Sequence, residues 1–250
     1  MCGRYTIVLE RDDLEERFDA TVADSFSPRY NAAPGQRLPV ITDEAPDRLR
    51  RLEWGLVPPW VDEARTSDGL VNARAETIDE KPSFRSAYRR PSDRLGERDE
   101  LSKAASAGRC LVPADGFYEW VDDVDNRPYR IGFGDDRPFA MAGLWQRRRL
   151  ETTQAGLDDF AGGAVDVDRD DALLETFTVV TTEPNDLVAD LHSRMPVILG
   201  PEDERRWLTA DDPRALLSPH PGDEMRAYPV SRAVNDPTTD EPSLIDPLES

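Results

Sequence analysis

A cysteine in the second position is the first residue of this sequence with chemistry to offer. A small residue after the initiator methionine favours its removal. Ordinary aminopeptidase action would then leave Cys2 as the amino terminus, with an amine and a thiol on adjacent carbons. Such an amine has a pKa of about 7.7–8.0 and a thiol about 8.5, so both nucleophiles are accessible near neutral pH, whereas a lysine amine near 10.4 is mostly protonated. A 1,2-aminothiol condenses with an aldehyde to an imine, and the sulfur then closes a five-membered thiazolidine. Ring closure within one molecule profits from effective molarities that reach on the order of 10⁵ M. Two further residues could move the protons. Glu119 lies in Asp115-Gly116-Phe117-Tyr118-Glu119-Trp120, and a carboxylate among aromatics is desolvated, which raises its pKa toward the range useful for proton transfer. His192, one of two histidines, follows a short helical stretch and precedes Ser193-Arg194-Met195-Pro196 at the mouth of a strand. Each has an ordinary reading beside the chemical one. Cys2 could be a small core residue near a chain end, His192 a satisfied structural histidine, and Glu119 the exposed face of a strand. His220, in a loop, and Cys110, in an apolar run, read as structural.

Arginine is a separate theme. Arg4, Arg74, Arg85, Arg89, Arg90, Arg109 and Arg194 fall in the segments that carry these motifs, and a guanidinium matches phosphate in a fork geometry. Trp54 and Trp60 flank Gly55-Leu56-Val57-Pro58-Pro59, a stiff apolar loop able to stack on a base. Singly, scattered arginines read as solvated surface and tryptophans as core.

The elements that must position these residues are mostly strands. Leu38–Thr42, Arg48–Trp54, Arg109–Trp120, Tyr129–Phe133, Pro138–Trp145, Thr176–Thr182 and Met195–Leu199 are rich in β-branched and aromatic residues. Short helices are expected after Asp12 or Asp13, with Leu14 and Phe18 on one face, and over Ser83–Arg90 and Asn185–Leu191. Another is expected from Pro201, where Glu202, Asp203 and Glu204 suit the positive end of the helix dipole. Strands without regularly alternating long helices predict an α+β fold with a mostly antiparallel sheet, not a doubly wound parallel one.

Composition sets the limits. The 250 residues carry 51 acidic and 31 basic side chains, a formal net charge of −20, and only Lys81 and Lys103 are lysines. The length fits one large domain or two small ones. No apolar run approaches the roughly 18 residues of a membrane span, and Met-Cys-Gly-Arg-Tyr lacks the core of a signal peptide. Two cysteines make no disulfide scaffold, and neither lies near other zinc ligands. A soluble cytoplasmic monomer without metal or cofactor is therefore expected. Residues 91–108 and 151–172 read as acidic or polar surface insertions, and 236–250, with five acids and no base, as a solvated acidic tail. Acid excess with so little lysine also suggests a cytoplasm of high salt, where screening shortens the Debye length to about 3 Å at molar concentration. In ordinary salt, −20 argues against a nucleic-acid partner. At high salt local sites outweigh the total.

The ordered set of motifs resembles the SOS response-associated peptidase family, also called abasic-site processing proteins. The resemblance rests on Met1–Tyr5, Tyr30–Gly35, Trp54–Pro58 with Trp60, Val71–Thr77, Lys81–Phe84, Arg109–Trp120, Ala142–Trp145, Phe177–Thr182, His192–Val197 and Pro229–Asn235. It covers residues 1–235 and implies a single domain with a barrel-like, twisted antiparallel sheet and short flanking helices. It also implies covalent capture of abasic sites in single-stranded DNA by a thiazolidine on Cys2. By the same resemblance Glu119 moves protons during ring opening and imine formation, His192 assists, including in reversal, and Asn72 bonds the captured sugar. Arg4, Arg74, Arg194 and Thr181 would lie along the DNA strand, with Pro34 and Trp60 around the bases, and Asn31 would also contact DNA. Two other readings stay open. One is a thiol peptidase built from Cys2, His192 and Glu119, and the other a non-covalent DNA reader using arginine and tryptophan.

Overall fold

The expected strands pair into two sheets. The computed structural model describes residues 2–22, 25–58, 60–61, 69–89, 105–121, 126–149 and 173–248. In chain order the elements are β1 (Tyr5–Ile7), α1 (Arg11–Phe18), β2 (Thr21–Val22), β3 (Arg29–Ala32), β4 (Arg37–Thr42), β5 (Ala45–Trp54) and β6 (Asn72–Arg74). There follow α2 (Pro82–Tyr88), β7 (Ala105–Ala114), β8 (Gly116–Trp120), β9 (Pro128–Phe133), β10 (Phe139–Arg149) and β11 (Leu173–Thr182). The chain continues with α3 (Asp186–Ala189), β12 (Met195–Pro196), β13 (Ile198–Leu199), α4 (Pro201–Thr209) and β14 (Met225–Pro229). This is the expected α+β class.

The larger sheet runs β12-β11-β10-β7-β4-β5-β2. A parallel pairing of β5 with β11, Thr176 opposite Glu53 and Phe177 opposite Trp54, closes β11, β10, β7, β4 and β5 into a barrel. Aromatic packing fills it. Trp54 stacks on Phe177 with ring centres 6.1 Å apart, and Tyr5 leans on Trp54 at 5.2 Å. Every residue from Thr176 to Thr182 is buried, because the strand is covered on both faces. Its β-branched composition suits such a position. Trp54 is thus a core residue, its indole N–H donating to the Val71 carbonyl, and is not available for a base. The smaller sheet, β14-β9-β8-β1-β3, brings the amino-terminal strand against the strand of Glu119.

Several boundaries differ from expectation. The run 109–120 is two strands broken at Asp115. The insertion expected at 151–172 lies outside the described residues, as does 91–104. Residues 105–108 begin β7 instead, pairing with Trp145–Arg148 of β10. Small side chains hid that strand, and Gly108 is needed there: a Cβ would meet the Asp43 carboxylate at 2.2 Å. Neither Asp12 nor Asp13 caps α1. Glu10 stands at that position without a side-chain bond, while Leu14 and Phe18 are buried as expected. The acidic end is not a free tail either. Asp240 accepts from the Tyr30 and Asn31 amides and pairs with Arg29 at 2.7 Å, and Leu244 is fully buried. Among the described residues no helix is long and apolar enough to cross a membrane.

Candidate active site

Cys2 sits three residues before β1 and is fully buried. What fixes it is β6. The Asn72 side-chain amide donates to the Cys2 carbonyl at 2.9 Å. The Asn72 carbonyl oxygen is itself buried and finds no hydrogen-bond partner among the described residues. From the other side, β8 pairs with β1 (Tyr5 opposite Phe117, Thr6 opposite Gly116), and the Tyr118 amide donates to the Arg4 carbonyl. This ladder carries Glu119 to within electrostatic reach of the Cys2 sulfur. Burial pushes the Glu119 carboxyl up from 4.5 to about 7, against the pull of the positive chain terminus. Burial, reinforced by the Glu119 charge, pushes the Cys2 thiol up as well.

A second group is organised by β11. On one side β6 runs parallel to it, with Asn72 opposite Val179 and Arg74 opposite Thr181. On the other side β12 pairs with it, Thr181 opposite Pro196. Asn185 caps α3 by accepting from the Val188 amide, and α3 delivers His192, whose own amide donates to the Val188 carbonyl at 2.8 Å. The chain then folds back so that the Arg194 amide donates to His192 Nδ1 at 3.0 Å, with Glu119 Oε2 3.7 Å from the same nitrogen. Accepting from that amide places the ring proton on Nε2. A proton on Nδ1 would face the Arg194 carbonyl and the Glu119 carboxylate instead. The Arg194 guanidinium donates to the Thr181 carbonyl at 2.6 Å and lies against Glu76. Arg4 is half-buried and donates to the Gly3 carbonyl, while Arg74 is exposed at the end of β6.

The family model described as SOS response associated peptidase (SRAP) matches residues 1–237. The chain belongs to the SRAP family. The SRAP chain is 38% identical to "Abasic site processing protein YoqW" of Bacillus subtilis, over 98% of its own length and 99% of that protein's. It is 29% identical to "Abasic site processing protein HMCES" of Pongo abelii, over all of its length and 77% of the other's. A crystal structure of a Bacteroides thetaiotaomicron protein superimposes with a TM-score of 0.76 at 25% identity, covering 99% of this chain and 100% of that one.

The fold gathers six of the expected residues of this SRAP chain around Cys2 and β11: Glu119, His192, Asn72, Arg74, Thr181 and Arg194. Arg4 stands two residues from Cys2. Pro34 and Trp60 stand in turns outside these strands. Pro34 occupies the second position of a turn whose third residue, Gly35, has φ +82°, and Trp60 is 56% exposed. Asn31 corrects the expectation. Its side chain is fully buried and donates to the carbonyls of Val234, Asp236 and Thr239, so it latches the terminal segment instead of facing DNA. Arg109, 1% exposed, donates to the Ala210 carbonyl and faces Trp207, which removes it from any phosphate.

Two groups were missed. Glu76 is one. The other is Asp115 with Arg130, an ion pair at 2.8 Å with both side chains 3% exposed. Asp115 also accepts from the Thr6 hydroxyl and the Val8 amide, so it clamps β1 alongside β8. A charged residue before glycine, in the middle of a long strand-like run, was the available signal. Removing one partner of a buried pair leaves the other uncompensated, at a cost of about 3–5 kcal/mol. Asp115→Ala is therefore expected to lower the urea-unfolding free energy by that amount. A loss under about 1 kcal/mol would show that the pair does not hold β1.

Proposed function

We propose that this chain captures abasic sites in single-stranded DNA by a covalent bond to Cys2. The observation that carries the reading is the junction of β1 and β8. It sets Cys2, whose amine the removal of Met1 would free, within electrostatic reach of a buried carboxyl pushed up to about 7. The naming of the relatives as abasic site processing proteins supports it.

The chemistry follows from the groups present. The ring-closed abasic sugar opens to an aldehyde when an acid protonates its ring oxygen and a base takes the proton of its anomeric hydroxyl. Glu119, present in both protonation states near pH 7, serves either role. With Met1 removed, the Cys2 amine adds to the aldehyde carbon, and the carbinolamine, protonated by Glu119, loses water to give an imine. The Cys2 sulfur then adds to the imine carbon and its proton ends on the nitrogen. One water is lost overall, and the product is a thiazolidine. The raised thiol fits this order, because sulfur acts only after the imine has formed and with Glu119 at hand to take its proton. A thiol peptidase needs the opposite, a thiol held low so that thiolate attacks first. His192 relays protons to and from Glu119, Asn72 offers its buried oxygen to a sugar hydroxyl, and Arg4, Arg74, Arg194 and Thr181 hold the flanking strand.

The amine distinguishes this chemistry from thiol hydrolysis and from simple binding. Protein with a free Cys2 amine should form a denaturation-resistant adduct with an oligonucleotide bearing one abasic site. Protein that retains Met1 should form none while still binding the strand. An equal yield of adduct from both would overturn the proposal.

A further inference from the structure

The Arg194 guanidinium is held from two directions. On the protein side, Nη2 donates to the Thr181 carbonyl at 2.6 Å, and the Arg194 side chain is only 13% exposed. On the solvent side, Nη1 and Nη2 meet the two oxygens of Glu76, whose side chain is 51% exposed. Two parallel N–H···O bonds from one guanidinium to two oxygens on one centre are the geometry a phosphate takes as readily as a carboxylate. We propose that Glu76 occupies, in the free protein, the seat of a DNA backbone phosphate on Arg194, and that DNA binds by displacing it. The inference rests on the reading of Arg194 as a strand contact and adds the group with which the strand must compete.

Of the two anchors only Glu76 can leave. Thr181 is 1% exposed within β11, and its carbonyl keeps the guanidinium in place. Glu76 stands on the single helical turn Ala75–Thr77 that follows β6. It also lines an open cleft of about 460 Å³, which gives the displaced side chain room to swing away. The Arg194 hydrogen bond holds the Glu76 carboxyl below its usual value, so the seat stays filled by an anion at neutral pH. The consequence is selectivity. A lone small anion gains nothing by replacing a tethered carboxylate, whereas a strand that also engages Arg74 and Arg4 does. On a body of net charge −20 this keeps the cationic groups neutralised until the correct polyanion arrives.

The test uses single-stranded DNA without an abasic site, so that only reversible binding is read, titrated by fluorescence anisotropy over a range of salt. In the native protein a phosphate exchanges with Glu76. In Glu76→Gln it exchanges with a counterion. Glu76→Gln, with Glu76→Ala as a second variant, should therefore bind about two- to fivefold tighter at low salt, the range of an exposed ion pair. Its plot of log affinity against log salt should steepen by about 0.7, one single-strand phosphate. Arg194→Ala should weaken binding. Weaker binding by both Glu76 variants, or unchanged affinity and slope while Arg194→Ala binds poorly, overturns the proposal and leaves Glu76 as a mere support for Arg194. Unchanged binding by Arg194→Ala overturns the reading of Arg194 itself.

Discussion

Cys2→Ser, freed of Met1, is expected to form no adduct that survives denaturation. The serine keeps the amine, so an imine still forms. What it loses is the sulfur that traps the imine as a ring. An imine hydrolyses on unfolding in water, and closure by an adjacent thiol is what lends the product the advantage of an intramolecular reaction, so stable adduct should fall by at least about two orders of magnitude. The variant should still fold and still bind the strand, because Asn72 bonds the backbone carbonyl of residue 2 and not its side chain. A polar hydroxyl in a fully buried position costs about 1–3 kcal/mol, which a urea melt will show and which must be separated from the chemical effect. Denaturing electrophoresis is the readout. Adduct from Cys2→Ser at the native yield would mean that another nucleophile does the work. A non-covalent reader predicts no denaturation-resistant band even from the native protein.

Glu119→Gln has the second large effect, and it acts in two opposed directions. The rate of adduct formation should fall by about 10²–10⁴, the usual contribution of a placed general acid–base, and the pH dependence centred near 7 should disappear. Stability should move the other way. A carboxyl raised from 4.5 to about 7 by burial is harmless to the fold below pH 4, where it is protonated both folded and unfolded. As the pH climbs from 4.5 toward 7 the unfolded chain ionises first, and the native state is progressively disfavoured. Above 7 the cost is complete, at most about 3 kcal/mol for a shift of this size. Glu119→Gln should thus stabilise the protein at pH 8 and make little difference at pH 4, a pattern read from urea midpoints at the two pH values. An equal effect at both would show that the carboxyl is not held high, and with it the acid–base assignment would fall.

The parts of this site that the sequence made legible are those whose chemistry is carried by residue type. A cysteine beside the initiator methionine, a glutamate among aromatics and a histidine at a strand mouth stand out wherever the fold puts them. The runs 38–42, 129–133 and 176–182, built on β-branched and aromatic residues, became strands because burial on one or both faces selects those side chains. What stayed hidden depends on neighbours. β6 is Asn72-Ala73-Arg74, a polar tripeptide that is a strand only because the edge of β11 pairs with it. β1 spans three residues and is held by Asp115 more than by its own propensity. Asn31, expected at the DNA, is in fact a buried latch for three carbonyls. The acidic end looks like a solvated tail until Asp240 is seen on Arg29 and on two backbone amides. The same holds for the arginines. Arg17, Arg29, Arg50 and Arg147 are tied to carboxylates in other parts of the fold, so their number says little about DNA.

The mass of the joined product tests most directly which bonds join protein and DNA. Native protein lacking Met1 is incubated with a single-stranded oligonucleotide carrying one abasic site, digested with protease, and the amino-terminal peptide is weighed with its attached nucleotide before and after borohydride treatment. A thiazolidine predicts a peptide beginning at Cys2, a mass equal to the sum of the two partners less one water, and no change on reduction. An attachment at any residue other than Cys2, or a mass that rises on reduction as an imine's does, would contradict it.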